Sequence, residues 1–164
     1  MTGSKVKDRG FVRLGIISDT HDLLRESAIR ALQGVDEILH VGDVCSPDIL
    51  ERLQKVAPVH GVRGNMDFGE WARVGLPRTE ALEICGCWIY MVHDLRDLDL
   101  EPAGRFRVVL HGHTHIPEIR EIGDVLYFNP GSAGPRRGTK PVSLGFLEVR
   151  KGEPKAEWME LAED

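Results

Sequence analysis

The chain has 164 residues, close to one ordinary domain and long enough to bury a substantial core without metal or disulfide staples. Its 21 Lys and Arg against 26 Asp and Glu leave a net charge of −5 with His neutral, which speaks against a general binder of nucleic acid or anionic membranes. That balance leaves a small phosphate compound open as a ligand. No stretch approaches the ~18 apolar residues of a membrane span, and residues 1–10 lack the apolar centre of a signal peptide. The cysteines, Cys45, Cys85 and Cys87, show no Cys-x-x-Cys spacing, so they suggest neither a disulfide framework nor a thiolate zinc site, and they read as buried small hydrophobes. The expectation is a cytoplasmic protein with a flexible tail over residues 1–10 and a single domain over residues 11–164.

Phe11 to Ser18 is a nearly continuous apolar run of the kind that forms a strand buried on both faces. Leu24, Ala28, Ala31 and Val35 then recur at helical steps. Glu37 to Val41 reads as a second strand. Ser46 and Pro47 follow as N-cap and first residue of a helix that buries Ile49, Leu50 and Leu53. Val56 to Val62 makes a third strand, so the first half is β-α-β-α-β, the pattern of a parallel sheet with right-handed crossovers. In the second half the strand candidates are Thr79 to Cys85, Trp88 to His93, Arg107 to Leu110, Ile116 to Ile122, Val125 to Asn129 and Val142 to Val149. Helical periodicity is scarce there, which fits two sheets packed face to face with helices outside the first.

The chemistry gathers where strands end. Asp19 and His21 follow the first strand, Asp43 follows the second and Asn65 the third, all at the carboxyl edge where open α/β sheets bind ligands. His93 closes a later apolar run, and His113 and His115 follow the next within His111-Gly112-His113-Thr114-His115. A lone Asp after a strand is ordinarily a helix cap, and a lone strand-end His is ordinarily a hydrogen-bonded structural residue. Clustered imidazoles repel one another when protonated, however, and such clusters are gathered for metal. Imidazole, carboxylate and amide donors without thiolate suit Mn²⁺, Fe, Zn²⁺ or Ni²⁺. Seven donors exceed the needs of one ion, and two ions sharing a carboxylate suit phosphoryl transfer.

Asp19-x-His21, Gly42-Asp43, Gly64-Asn65-x-Asp67, His93 and Gly112-His113-Thr114-His115, in this order, resemble the calcineurin-like metallophosphoesterase superfamily from about residue 11 onward. The short length, the Gly-Asn-x-Asp form and Asn129-Pro130-Gly131-Ser132 are similar to its compact YfcE-type phosphodiesterases. The resemblance implies an α/β (α+β) fold: a four-layer αββα sandwich, with two mixed β-sheets flanked by helices and a metal site at the carboxyl ends of the strands. It implies that Asp19, His21 and His115 hold one divalent ion, that Asn65, His93 and His113 hold a second, and that Asp43 bridges them. Mn²⁺ is the foremost candidate for both. Asp43, Asn65 and His93 would then serve catalysis through a metal-bridging hydroxide that attacks phosphorus in a small phosphodiester. Stable nucleic-acid binding and membrane association are not expected, and a homo-oligomer is left open. A retromer-subunit-like protein-binding scaffold with a vestigial metal site, and a phosphomonoesterase, are the alternatives.

Two positions depart from the superfamily pattern. Many members carry, after the metal-binding Asn, a His that can protonate the leaving group; Met66 stands here, and a thioether has no proton to give. Hydrolysis is therefore expected to be slow or limited to good leaving groups. The pattern His-Gly-His is replaced by His93-Asp94-Leu95, where Asp94 reads either as a carboxylate orienting a ligand or as a solvated loop residue. His40, His60 and His111 read as packed or rim histidines, and Asp67 as a hydrogen-bond partner of the Asn65 loop. Asn129 to Ser132 reads as a turn near the metal edge, and Arg136-Arg137 as a surface pair in preference to a contact for a substrate phosphate. Trp71, Trp88 and Trp158 read as packing residues of the core or of an oligomer surface.

Overall fold

The computed structural model describes residues 10–164, so the expected tail lies, but for Gly10, outside the described residues. Strands β1 (Val12–Ile17), β2 (Glu37–His40) and β3 (Val59–Gly61) pair in parallel, with α1 (Glu26–Ala31) and α2 (Pro47–Gln54) as crossovers. Ser46 caps α2 by accepting from the Asp48 N–H, and Pro47 occupies its first turn. The stripe around α1 that is buried is Leu24, Ala28, Leu32 and Val35, with Ala31 at its margin. The helix itself is only six residues, and Gly34 at φ +86° turns the chain back toward β2.

A short helix α3 (Glu70–Gly75) leads to β4 (Thr79–Ile84), β5 (Cys87–Val92), β6 (Val108–Leu110), β7 (Glu118–Ile122) and β8 (Val125–Asn129). These five form a mixed sheet in the order β4-β5-β6-β8-β7. The chain then returns to the first sheet as β9 (Ser143–Arg150) and β10 (Glu153–Glu160), giving the order β10-β9-β1-β2-β3, also mixed. β10 has no counterpart in the pattern of the sequence. Glu-Pro-Lys-Ala-Glu-Trp-Met-Glu lacks an apolar run because it is an edge strand, where Pro154 and the charges are tolerated and discourage further pairing.

The main core lies between the sheets, where Leu14, Ile16, Leu39 and Val41 meet Ile89, Met91, Leu110 and Phe128. A second cluster joins the outer face of the first sheet, through Ile17, Ile38, Leu144 and Phe146, to Leu24, Leu32, Ile49 and Leu53 of the helical layer. The outer face of the second sheet is covered differently. Tyr90, Val92 and Val109 pack under Leu95, Leu98, Leu100 and Phe106, a segment whose only regular piece is the 3-10 turn Leu95–Asp97. Two mixed sheets with helices outside the first are thus present, and the fourth layer is an irregular strap. Among the described residues no helix is long and apolar enough to cross a membrane.

Candidate metal centre

The loops that follow β1, β2, β3, β5 and β6 meet at one edge of the sandwich because these strands run the same way within their sheets. The loops are stitched together by backbone hydrogen bonds. Asp19 N donates to Gly42 O and His21 N to Asp43 O, both at 3.0 Å, and Gly112 N donates to His93 O at 2.9 Å. Asp19, His21, Asp43, His113 and His115 all have φ between 44° and 72°. A left-handed backbone costs a non-glycine residue about 1 kcal/mol or more, so the edge stores strain of the kind found at functional sites. The glycines of the strand-end pairs allow the loops to approach. A Cβ on Gly64 would collide with the Asp43 side chain and backbone, and one on Gly112 with Ser18 and Asp19.

In each carboxylate one oxygen is held by the protein and the other faces the imidazoles. Asp19 Oδ2 accepts from Ser18 Oγ at 2.6 Å and from the His113 N–H at 3.1 Å. Its Oδ1 lies 3.3 Å from His115 Nε2, 3.7 Å from His21 Nε2 and 3.8 Å from His93 Nε2. Asp43 Oδ1 accepts from the Met66 N–H at 2.8 Å, while Oδ2 lies 3.3 Å from His93 Nε2 and 3.6 Å from His21 Nε2. Asn65 Oδ1 sits 3.0 Å from His93 Nε2 and 3.1 Å from His113 Nδ1. The Nε2 atoms of His21 and His115 are 3.2 Å apart. The donors form two lobes, Asp19–His21–His115 and Asn65–His93–His113, with Asp43 Oδ2 between them.

Asp19 Oδ1 is buried and, among the described residues, has no hydrogen-bond partner. A buried carboxylate oxygen without a partner costs several kcal/mol unless something cationic takes it up. Burial raises the Asp19 carboxyl, but the imidazoles of His115, His21 and His93 outweigh it and hold the group well below the usual carboxylate range. Burial likewise opposes ionisation of His93, yet Asp43 and Asp19 win and raise its imidazole to about 9. A second donor already fixes this ring: Nδ1 donates to Val41 O at 2.7 Å, which leaves Nε2 facing the cluster. Oxygen and imidazole donors around an unpartnered buried carboxylate oxygen are a donor set that fits divalent cations.

The surrounding residues brace the donors. Asp67 accepts backbone N–H bonds from Gly64 at 2.8 Å, Asp43 at 3.0 Å and Cys45 at 2.7 Å, so one carboxylate ties the β2 and β3 loops together. Asn129 Nδ2 donates to Gly112 O and Thr114 Oγ1, Ser132 Oγ donates to Asp19 O, and Lys140 Nζ donates to Thr114 O. The Asn129–Ser132 turn is therefore a clamp on the His113–His115 segment, which the ordinary look of Asn-Pro-Gly conceals. Cys45 is half-buried with Sγ 3.7 Å from His21 Nδ1, unlike the fully buried Cys87. Burial and the nearby Asp67 and Asp43 push its thiol up to about 12, so it is a protonated partner of His21 rather than an inert hydrophobe.

His40 is fully buried, receives the Gly42 N–H on Nδ1 and faces Thr20 Oγ1 at 3.0 Å through Nε2. His60 pairs with Glu37 at 3.0 Å, and His111 is buried outside both lobes. Arg136 bonds Glu163 on the surface. Trp88 and Trp158 are 43% and 41% exposed, so neither is a core residue.

A two-sheet sandwich that gathers acidic and imidazole donors at one strand edge defines a metallophosphoesterase architecture. The chain belongs to the calcineurin-like phosphoesterase superfamily, whose domain matches residues 12–152. It is 39% identical to a probable metallophosphoesterase of Methanothermobacter thermautotrophicus, over 78% of this chain and 81% of that protein. It is 28% identical to phosphodiesterase YfcE of Escherichia coli, over 84% and 88% respectively. The solved structure of an archaeal phosphodiesterase superposes with a TM-score of 0.76 at 26% identity, covering 90% of this chain and all of that one.

Proposed function

We propose that this protein is a divalent-metal-dependent phosphodiesterase acting on small phosphodiesters. Asp19, His21 and His115 hold one ion, Asn65, His93 and His113 hold the other, and Asp43 serves both. The observation that carries this reading is the buried, unpartnered Asp19 Oδ1 facing three imidazole Nε2 atoms. Two divalent ions at these donors supply Lewis-acid chemistry, acidifying water and neutralising charge that builds on phosphoryl oxygens. The oxygen and nitrogen donor set favours Mn²⁺, with Fe, Zn²⁺ and Ni²⁺ compatible.

The protein's own residues define the rest. Ser18, Met66 N–H and Asp67 fix the carboxylates and the loops that carry them, so the donors are oriented before any ligand arrives. Val41 O holds the His93 ring so that Nε2 is the nitrogen presented. Met66 occupies the position next to Asn65 and is 44% exposed, yet it cannot donate a proton to a departing alkoxide. That deficiency favours diesters with acidic leaving alcohols over monoesters. Three cysteines, an odd number without the spacing of a disulfide framework, favour a reducing, cytoplasmic setting.

Metal analysis together with hydrolysis of bis(p-nitrophenyl) phosphate and p-nitrophenyl phosphate under Mn²⁺ tests the proposal. The expected result is up to two ions per chain, turnover of the diester above the monoester, and loss of both ions' binding strength and turnover in Asp43→Asn. Diester turnover equal to that of Asp43→Asn would overturn the enzymatic reading and leave the binding scaffold. Faster monoester turnover would favour the phosphomonoesterase.

A further inference from the structure

A cavity of about 480 Å³ opens beside Asn65 and His93, between the end of β3 and the strap after β5. Its volume lies in the range of small-ligand sites and exceeds what a single phosphoryl group fills. Arg63, two residues before Asn65, stands half-buried in its wall, and Arg78 stands exposed at the rim. Among the described residues neither guanidinium has a hydrogen bond or ion pair. The carboxylates that share the cavity do not neutralise Arg63. Asp67 is taken up by three backbone N–H groups, Asp94 is clamped by Arg96, and Asp97 and Asp99 are exposed, where solvent screens them. A half-buried guanidinium has lost hydration without gaining a partner, a deficit that an anionic oxygen pair fills in bidentate fashion.

We infer that Arg63, with Arg78 at the rim, forms a subsite for a second phosphoryl group. The preferred substrates are then phosphodiesters whose alcohol carries a further phosphate, the scissile diester lying at the metal donors and the second phosphate in this cavity. This rests on the phosphodiesterase reading above.

The probes are the p-nitrophenyl ester of thymidine 5′-phosphate with and without a 3′-phosphate, each assayed under Mn²⁺. The protein is expected to favour the 3′-phosphorylated diester at least tenfold in kcat/KM, mainly through KM, as a charge-assisted contact provides. Arg63→Gln reduces that ratio toward one and Arg63→Lys restores part of it. Arg120→Gln, which removes the same charge on β7, the edge strand of the second sheet farthest from β4, leaves the ratio unchanged. A ratio near one in the unaltered protein, or one that survives Arg63→Gln, would overturn the subsite. If neither diester is turned over, the phosphodiesterase reading fails, and calorimetry with thymidine 3′,5′-bisphosphate and thymidine 5′-phosphate decides the subsite separately. Tighter binding of the bisphosphate by tenfold, lost in Arg63→Gln, supports it; equal dissociation constants overturn it.

Discussion

Asp94 Oδ2 lies 3.5 Å from His113 Nε2, on the far side of the imidazole from Asn65, whose Oδ1 is 3.1 Å from Nδ1. The carboxylate is itself held by Arg96, which lowers its pKa to about 2. His113 therefore turns Nδ1 toward the donor cluster with the Asp94–Arg96 ion pair behind Nε2, Arg96 Nη2 lying 3.3 Å from that nitrogen, so the pair holds the ring in place. Where the superfamily pattern has a second histidine nearby, this chain has the Asp94–Arg96 pair against His113.

Removing this support tests its role. Asp94→Ala is expected to weaken the ion at the Asn65–His93–His113 lobe by tenfold or more while leaving the Asp19–His21–His115 lobe little changed. Calorimetric titration with Mn²⁺ resolves the two. Equal weakening of both, or of neither, would show Asp94 to be a surface residue clamped by Arg96 alone.

Met66 makes the second prediction. Its backbone N–H holds Asp43 Oδ1 and its side chain is 44% exposed, so a different side chain can be placed there without disturbing the loop. Met66→His is expected to raise turnover of a diester with a poor alkyl leaving group by about 10²-fold, the low end of what general acids contribute, with little change for bis(p-nitrophenyl) phosphate. The ratio of the two rates is the readout. An unchanged ratio would remove leaving-group protonation from the account of this position.

The third prediction concerns the metal-free protein and pH. Burial depresses His40 to about 4 from an unfolded value of 6.5, so below pH 6.5 the unfolded chain takes up a proton that the folded one refuses. Its contribution is full above pH 6.5 and is lost as pH falls toward 4, on the order of 3 kcal/mol. His93 has the opposite sign. Although burial opposes its charge, Asp43 and Asp19 raise it to about 9, so its contribution is full below pH 6.5 and is lost as pH rises through 9. Stability of chelator-treated protein, followed by urea denaturation between pH 4 and 9, is expected to peak near neutrality. His40→Gln flattens the acid limb and His93→Asn the alkaline limb. Added Mn²⁺ reverses the alkaline limb, because the ion replaces the proton on Nε2. A profile without the acid limb would contradict the His40 assignment, and one without the alkaline limb the His93 assignment.

Legibility in the sequence follows from how locally each feature is encoded. The parallel strands announce themselves because a strand buried on both faces is a continuous apolar run, and Ser46-Pro47 marks α2 because capping uses adjacent residues. The donor residues are legible for the same reason: each stands within five residues of a strand end, and Asp43, Asn65 and His113 directly follow glycines that the packing of neighbouring loops requires at 42, 64 and 112. β10 is not legible, since an edge strand owes its existence to β9 and not to its own side chains. The irregular strap over the second sheet is equally non-local, its Leu95, Leu98 and Leu100 having meaning only beneath Tyr90 and Val109.

The supporting chemistry depended on the folded chain. Asp67 lies 24 residues from Asp43, Asn129 lies 17 from Gly112, Ser132 lies 113 from Asp19, and nothing in their spacing relates them. The thiol of Cys45 behind His21 and the unpaired Arg63 beside Asn65 emerge only once separate loops share one edge. Order along the chain names the donor residues, because each belongs to one strand end. Which oxygen of Asp19 or Asp43 faces the imidazoles, and which face of His113 is braced, depends on distances between loops that covalent sequence does not contain.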